Sequence, residues 1–213
     1  MIYDIDIAKQ VAKSLLQINA IILQPNNPFK WVSGWDSPIY CDNRKTLSHP
    51  EIRNFIRQGL AAIVKNHYKG ANVIAGVATA GIPHGALVAE ELGLPFIYVR
   101  SKAKEHGKKN QIEGVFEKGQ SVVLIEDLIS SGKSSLEATR ILKDAGMFVK
   151  GIASIFTYGF DAATKNFAKE NCEYISLCDY NTLLPQAIAQ QYIEEVDLSI
   201  LKAWRKNPST WKK

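Results

Sequence analysis

Cysteine is scarce in this sequence, and its placement limits the kinds of site that it could form. The chain has three cysteines, Cys41, Cys172 and Cys178, which is an odd number, and none belongs to a C-x-x-C pair. The spacing therefore argues against a disulfide framework and against a zinc site. We expect three plain thiols.

Long apolar runs are missing as well. No stretch approaches the roughly 20 consecutive apolar residues that a membrane-spanning helix needs, and the first residues lack the basic and apolar regions of a secretion signal. The sequence therefore predicts a cytoplasmic protein. Internal repeats and evident linkers are also absent, so residues 1–213 are expected to form a single domain with one full core.

Charge of one sign is not concentrated enough to indicate a nucleic-acid surface. The net charge is +5, but basic residues cluster in only two places, Arg100–Gln111 and the tail Lys202–Lys213, "KAWRKNPSTWKK". Spread charge of this size is ordinary for a globular domain. We predict no nucleic-acid partner, and we interpret the tail as a solvated surface segment.

The stretch "VVLIEDLISSGKSS", Val122 to Ser135, contains Gly-Lys-Ser but lacks an ATP-binding P-loop. That motif requires a glycine five residues before Gly132, and Asp127 stands there. A carboxylate at that position, next to Glu126, would repel a polyphosphate unless a metal lay between them. The phosphate ligand must therefore be of another kind.

Short β-branched runs alternate with helix-like segments along most of the chain. This pattern predicts an α/β fold, an open, mostly parallel sheet flanked by helices. The predicted strands are Val73–Val77, Phe96–Val99, Val122–Glu126, Gly151–Phe156 and Tyr174–Leu177. The predicted helices are His49–His67, Ile82–Leu92, Ser134–Ala145, Ala162–Glu170 and Leu184–Gln191. Before them, an amphipathic segment and the irregular "NNPFKWVSGWDSPIYCDNR" are predicted to form a small N-terminal hood, with residues 1–48 contributing much of it.

Ligands of such sheets bind in the loops that follow the carboxyl ends of the strands. The rule selects Ala78–Pro83, Arg100–Gly114 and Asp127–Ser134. In the first, small residues let backbone amides approach a pyrophosphate closely. The second is rich in lysine and arginine and is predicted to be a mobile cationic lid; a merely solvated loop is the alternative.

The third loop combines acids with an anion site. Glu126 and Asp127 point to opposite faces of a strand, so they are expected to differ in role. Hydroxyls and N–H groups then open a helix, which suits a monophosphate; they come from Ser130, Ser131, Gly132 and Ser134. A diol-binding acid beside a monophosphate cradle indicates a ribose 5-phosphate pocket. The alternative is that the serines only cap the helix and that the acids are solvated.

At this point the motifs resemble a known family. "VVLIEDLISSGKSS" is similar to the phosphoribosyl pyrophosphate (PRPP) motif of type I phosphoribosyltransferases. "FKWVSGWDSPIYCDNR" (Phe29–Arg44) and "YVRSKAKEHGKKNQIEG" (Tyr98–Gly114) resemble the orotate-binding segment and the catalytic lid of one branch, the orotate phosphoribosyltransferases. The likeness implies transfer of the phosphoribosyl group of PRPP to orotate, giving orotidine 5′-monophosphate and pyrophosphate in pyrimidine biosynthesis. It also implies Mg²⁺, bound mainly through PRPP, and a homodimer whose lid reaches the neighbouring subunit's site.

The resemblance assigns roles to individual residues. Those matching PRPP-binding positions are Arg100, Lys102, Lys104, His106, Glu126, Asp127, Ser130, Ser131, Gly132, Lys133 and Ser134. Those in the orotate-binding segment are Ser33, Gly34, Ser37, Tyr40 and Arg44, with Ser130 added from the PRPP motif. Catalytic roles fall to Arg100, Lys104, His106 and Asp127. Relative to the best-known enterobacterial pattern of the family, Val32, Ala80 and Ser101 stand where lysines are usual, although Thr-Ala-Gly-Ile-Pro around Ala80 resembles another bacterial branch.

Two rival functions fit the same fold. One is a phosphoribosyltransferase for a purine base, which the orotate-like segment disfavours. The other is a PRPP-sensing regulator that binds nucleic acid without catalysis. Such a regulator is expected to carry an additional DNA-binding unit, for which the residues before Pro28 are too few, and this lid keeps Arg100, Lys104 and His106.

Overall fold

The computed structural model describes residues 1–31, 34–101 and 111–211, and its first elements are one helix and the four short strands of the hood segment. Helix α1 (Ile5–Gln17) is followed by four short strands: β1 (Ile21–Leu23), β2 (Phe29–Lys30), β3 (Asp36–Ser37) and β4 (Ile39–Cys41). Strands β1 and β4 pair antiparallel, and so do β2 and β3, with Lys30 opposite Asp36. A 3₁₀ turn (Asn43–Ser48) leads to the main domain. The irregular segment therefore contains two small antiparallel ladders.

The rest of the chain alternates between strands and helices. The elements are α2 (Pro50–His67), β5 (Val73–Val77), α3 (Gly81–Leu92), β6 (Phe96–Val99), β7 (Ile112–Glu113), β8 (Ser121–Ile129), α4 (Lys133–Asp144), β9 (Phe148–Thr157), α5 (Asp161–Lys169), β10 (Tyr174–Asp179), α6 (Tyr180–Ala189) and α7 (Leu198–Lys206), with a short 3₁₀ turn (Glu195–Asp197) before α7. The six strands from β5 onward form one sheet in the order β10-β9-β8-β5-β6-β7. All neighbours are parallel except β6 and β7. The predicted open, mostly parallel α/β sheet is confirmed.

Strand β8 is longer than the sequence predicted, and the difference matters for the acids. The prediction ended the strand at Glu126, whereas it continues to Ile129. Strand β9 reaches Thr157 and supplies backbone partners for that extension, for example at Leu128–Phe156. On the other side, pairing with β5 stops at Gly76–Ile125. Asp127 thus lies inside β8 and does not begin the loop.

Helices cover both faces of the sheet, and each face has its own apolar cluster. Along β8, Val123 and Ile125 pack into one cluster and Val122 and Leu124 into the other. This is the two-residue alternation of a strand that is buried on both sides. Among the residues that the structure describes, no helix has the length and apolarity needed to cross a bilayer.

The C-terminal tail is only in part the solvated segment that its basic composition suggested. Helix α7 buries Leu201 and Trp204 completely, since Leu198, Leu201 and Trp204 recur every three residues on one face. The Trp204 indole Nε1 donates a hydrogen bond to the backbone oxygen of Asp36 (3.2 Å). Arg205 donates to the backbone oxygens of Tyr158 (2.9 Å) and Gly159 (2.8 Å). The helix therefore ties the hood to the end of β9.

Candidate active site

The acidic pair lies in β8, just beyond the point where β5 has ended. Glu126 is buried, and its Oε2 accepts a hydrogen bond from the Ser135 hydroxyl of α4 (2.9 Å). Asp127 is half-buried, and its backbone oxygen accepts from the Asn43 amide of the hood (2.7 Å). Glu126 is thus held by a hydrogen bond from α4, and the backbone at Asp127 is held by a hydrogen bond from Asn43. No pattern in the sequence indicated Asn43 as a contributor.

Burial dominates the electrostatics of this pair. Removal from water raises the pKa of Glu126 well above its usual range, and the neighbouring Asp127 charge and a hydrogen bond between the two side chains raise it further. The Ser135 hydroxyl opposes the shift. Burial also raises the pKa of Asp127, while its hydrogen bond with Glu126 lowers it. The pKa of each of the two carboxyl groups is therefore raised above that of a free acid.

The serine-rich loop after β8 forms a cradle at the start of α4. A cavity of about 320 Å³, the phosphate cavity, is lined by Leu128, Ser130, Ser131, Gly132, Lys133, Ser134 and Glu137. Gly132 is the N-cap residue of α4 and has φ 78°, a left-handed conformation that favours glycine. A Cβ at this position would also overlap the Phe167 ring. Free N–H groups at a helix N-terminus and hydroxyls around them suit a phosphate dianion.

A second cavity adjoins the first and is lined mainly by aromatic and apolar side chains. This aromatic cavity of about 380 Å³ is lined by Lys30, Trp31, Tyr40, Cys41, Leu128, Ser130 and Tyr158. Leu128 and Ser130 line both cavities. Because flat rings stack on aromatic side chains, this cavity suits a planar heterocycle beside a phosphate group.

The structure brings only part of the predicted base-recognition segment to this cavity. Tyr40 lines it, whereas Ser37 is fully buried and donates its hydroxyl hydrogen to the backbone oxygen of Ile39 (2.8 Å). Arg44 forms a bidentate pair with Asp42 and is not among the lining residues. Gly34, with φ 80°, forms the turn between β2 and β3. Ser33 lies outside the described residues.

The predicted lid begins and ends on a short ladder. Val99 of β6 pairs with Ile112 of β7, and the Arg100 N–H donates to the Gln111 backbone oxygen (2.8 Å). The side chain of Arg100 lies 3.5 Å from the Glu113 carboxylate. The strand β7 was not predicted, so the connecting segment is shorter than Arg100–Gly114. Lys102, Lys104 and His106 lie outside the described residues.

The loop after β5 packs directly against the acidic strand. A Cβ at Gly81, the first residue of α3, would overlap the backbone oxygen of Ile125 in β8. Only glycine therefore lets the N-terminus of α3 approach Glu126 this closely. His84 of the same helix is buried, which lowers its pKa to about 4. It is neutral at pH 7, so it adds no positive charge to this loop.

Several residues around the cavities were missed by the sequence analysis. Lys30, Trp31, Cys41, Leu128 and Tyr158 line the aromatic cavity, and Ser135 holds Glu126. A signal existed for Tyr158, because it follows a predicted strand at the same sheet edge as the three selected loops. Lys30 and Trp31 lie within the quoted segment Phe29–Arg44, but nothing in that segment shows which of its side chains line a cavity.

Comparison with known proteins gives consistent results. Residues 46–183 match the family profile of the phosphoribosyl transferase domain. The chain is 52% identical to an orotate phosphoribosyltransferase of Cytophaga hutchinsonii over 96% of its own length and 98% of that protein. It is 54% identical to that of Bacillus subtilis, over 96% of this chain and 95% of the relative. The crystal structure of orotate phosphoribosyltransferase from Aeropyrum pernix superposes with a TM-score of 0.74 at 27% identity, covering 83% of this chain and 97% of that one.

Proposed function

We propose a function for this chain that follows from its membership of the orotate phosphoribosyltransferase family, a group of glycosyltransferases. Its two adjoining cavities bind orotate and PRPP side by side. The phosphate cavity takes the 5-phosphate of PRPP, and the aromatic cavity takes the pyrimidine ring. The carboxylates of Glu126 and Asp127 accept hydrogen bonds from the ribose hydroxyls of PRPP. The observation that carries this assignment is that Leu128 and Ser130 line both cavities, next to the acidic pair.

The arrangement fits the bond changes of the reaction. The bond from ribose C1 to the pyrophosphate oxygen breaks, and the orotate nitrogen loses its proton and bonds to C1 from the opposite face. Pyrophosphate leaves with the bonding electron pair and takes up a proton. Cations placed beforehand around the leaving group stabilise the charge that develops on it. We assign that role to Arg100, Lys102 and Lys104, and we assign proton donation to pyrophosphate to His106. Closure of the lid also excludes water, which would otherwise hydrolyse PRPP.

Mg²⁺ is proposed as the cofactor, held mainly by PRPP oxygens. Among residues 1–31, 34–101 and 111–211, no group of three or more His, Cys, Asp or Glu side chains could hold a metal ion alone. Glu126 and Asp127 are assigned to the ribose hydroxyls of PRPP, so no direct protein ligand is assigned to the ion. When bound, the ion supplies charge neutralisation at the pyrophosphate.

Three further features are proposed with this function. The whole chain, residues 1–213, acts as one phosphoribosyltransferase domain whose residues 1–48 form much of the hood. The protein works as a homodimer with shared lids, which the resemblance of Tyr98–Gly114 to the family's lid supports. It acts in the cytoplasm, which its free thiols at Cys41, Cys172 and Cys178 support. The substrates are small molecules, without a nucleic acid or membrane partner.

The ultraviolet absorbance of orotate tests the proposal directly. Purified protein mixed with orotate, PRPP and Mg²⁺ is expected to lower the orotate signal, and the loss should require each component. Parallel reactions contain uracil or hypoxanthine in place of orotate, or omit the metal. Turnover of hypoxanthine but not orotate would assign a purine base, and PRPP binding without any turnover would favour a regulator.

A substitution at Gly132 tests the phosphate cavity. Gly132→Ala forces a side chain into a left-handed conformation and against Phe167, so we expect PRPP to bind at least about tenfold more weakly. The matched control is Gly119→Ala, because Gly119 also has a positive φ (88°) but has no atom within 4 Å of the place that a Cβ would occupy, and it lies away from the cavity. Calorimetric titration with PRPP measures both variants. Equal affinities for PRPP would contradict the assignment.

A further inference from the structure

A carboxylate-bearing base needs a cation in its cavity, and the structure offers one that sequence reasoning did not select. Among the described residues that line the aromatic cavity, Lys30 is the one with a positively charged side chain. We infer that Lys30 binds the carboxylate of orotate and thereby selects this base over uncharged pyrimidines. The inference rests on the proposed function, because it needs orotate in this cavity.

Lys30 is held at the cavity with donors to spare. Its Nζ lies 3.1 Å from Oδ1 of Asp36, and the side chain is 72% exposed while that of Asp36 is 28% exposed. A lysine ammonium carries three N–H donors. One donor serves Asp36, so two remain for a ligand carboxylate.

The hairpin that carries Lys30 is held in place by hydrogen bonds from two tryptophan side chains. Lys30 and Asp36 are register partners across β2 and β3, and the backbone oxygen of Asp36 accepts the Trp204 indole hydrogen bond. Trp31 also donates from Nε1 to the backbone oxygen of Ile39 (3.1 Å). Because both strands are fixed, the ammonium group is held near the aromatic cavity at a lower cost in conformational entropy.

Arg44 is the rival cation, and its contacts disfavour it. Its Nε lies 2.6 Å from Asp42 Oδ1 and its Nη2 lies 3.0 Å from Oδ2. A bidentate pair of this kind uses the guanidinium donors best suited to a carboxylate. Arg44 also does not line the aromatic cavity. A ligand carboxylate in the aromatic cavity would therefore form an ion pair with Lys30 in preference to Arg44.

Steady-state kinetics of four variants test the inference. In Lys30→Met, the KM for orotate should rise about tenfold, the lower end for a hydrogen bond to a charged group, while the KM for PRPP stays unchanged. Lys30→Arg should recover part of the loss because it restores the charge. Lys13→Met, which removes an exposed lysine of α1, is the control for net charge, and Arg44→Met tests the rival cation. Calorimetric titration with uracil should give the same affinity in wild type and Lys30→Met.

The outcomes separate the role of Lys30 from the identity of the reaction. An unchanged orotate KM in Lys30→Met would overturn the inference, and a rise confined to Arg44→Met would assign the carboxylate to Arg44 instead. Both results leave the enzyme an orotate phosphoribosyltransferase. Failure of the wild-type protein to consume orotate would overturn the proposed function itself.

Discussion

Glu126→Gln is expected to make the ligand-free protein more stable at pH 8 and at the same time to weaken PRPP binding by about 100-fold. Both effects arise from the buried charge of Glu126, which destabilises the ligand-free protein and stabilises the complex with PRPP. Glu126 is a buried acid whose charge the fold alone does not compensate. A carboxylate in such a position is useful for a ligand that donates hydrogen bonds, and it is costly until that ligand arrives.

The pH dependence of stability follows from the sign of the pKa shift. The folded-state pKa of Glu126 lies above the ordinary value of 4.5, so the folded protein holds a proton that the unfolded chain has released. Stability therefore falls as the pH rises from about 4.5 through the folded-state pKa. Glutamine resembles the protonated acid, because it can accept from Ser135 and donate to Asp127. Its advantage over the wild type should grow across this range.

Thermal unfolding at pH 5 and pH 8 measures this effect. For a domain of this size, each kcal/mol changes the melting temperature by about 2–4 °C. Glu90→Gln, at an exposed position of α3, provides a control in which no such gain should appear. If Glu126→Gln were less stable at both pH values and bound PRPP normally, Glu126 would be a structural residue and not part of the binding site.

The sequence predicted the sheet and indicated the loop that lines the phosphate cavity, because both are encoded locally. Continuous apolar runs mark strands that are buried on both faces, and the loop Ser130–Ser134 follows its strand directly. Chain topology then places the carboxyl ends of β5, β6 and β8 together. These inferences needed no knowledge of how distant segments pack.

The aromatic cavity was less predictable, because its residues come from three distant segments. Lys30, Tyr40 and Cys41 belong to the hood, Leu128 belongs to β8, and Tyr158 follows β9. Strands of two or three residues are too short to show a hydrophobic period, so the side chains that line the cavity could not be identified. The same limitation hid the contact between Asn43 and the backbone of Asp127.

The tail was predicted to be a solvated segment because its basic composition was given more weight than the spacing of its apolar residues. Lysine and arginine flank Trp204, which suggested a solvated segment, whereas a spacing of three residues between Leu201 and Trp204 indicates a buried face. The basic side chains occupy the other face of α7, and Arg205 uses its charge to hold backbone oxygens at the end of β9. The helix is therefore a support for the aromatic cavity.

Trp204→Ala is accordingly expected to destabilise the protein by about 3–5 kcal/mol, the range for a buried tryptophan. The ring lies within 5.4–5.7 Å, between centroids, of Trp31, Tyr158, Phe160 and Tyr180. Two of these neighbours, Trp31 and Tyr158, line the aromatic cavity. Loss of the indole should therefore disturb that cavity as well as the core. Urea unfolding measures the loss of stability.

Trp204→Phe separates packing from positioning. Phenylalanine retains most of the aromatic contact but cannot donate to the Asp36 backbone oxygen, which should cost about 1 kcal/mol of stability. Because Asp36 holds Lys30, the KM for orotate should rise while the KM for PRPP stays near the wild-type value. Trp211→Phe, a change at the half-buried tryptophan of the same tail, is the matched control. Equal rises in both KM values would mean that Trp204 supports the fold in general and does not position the hood over the base.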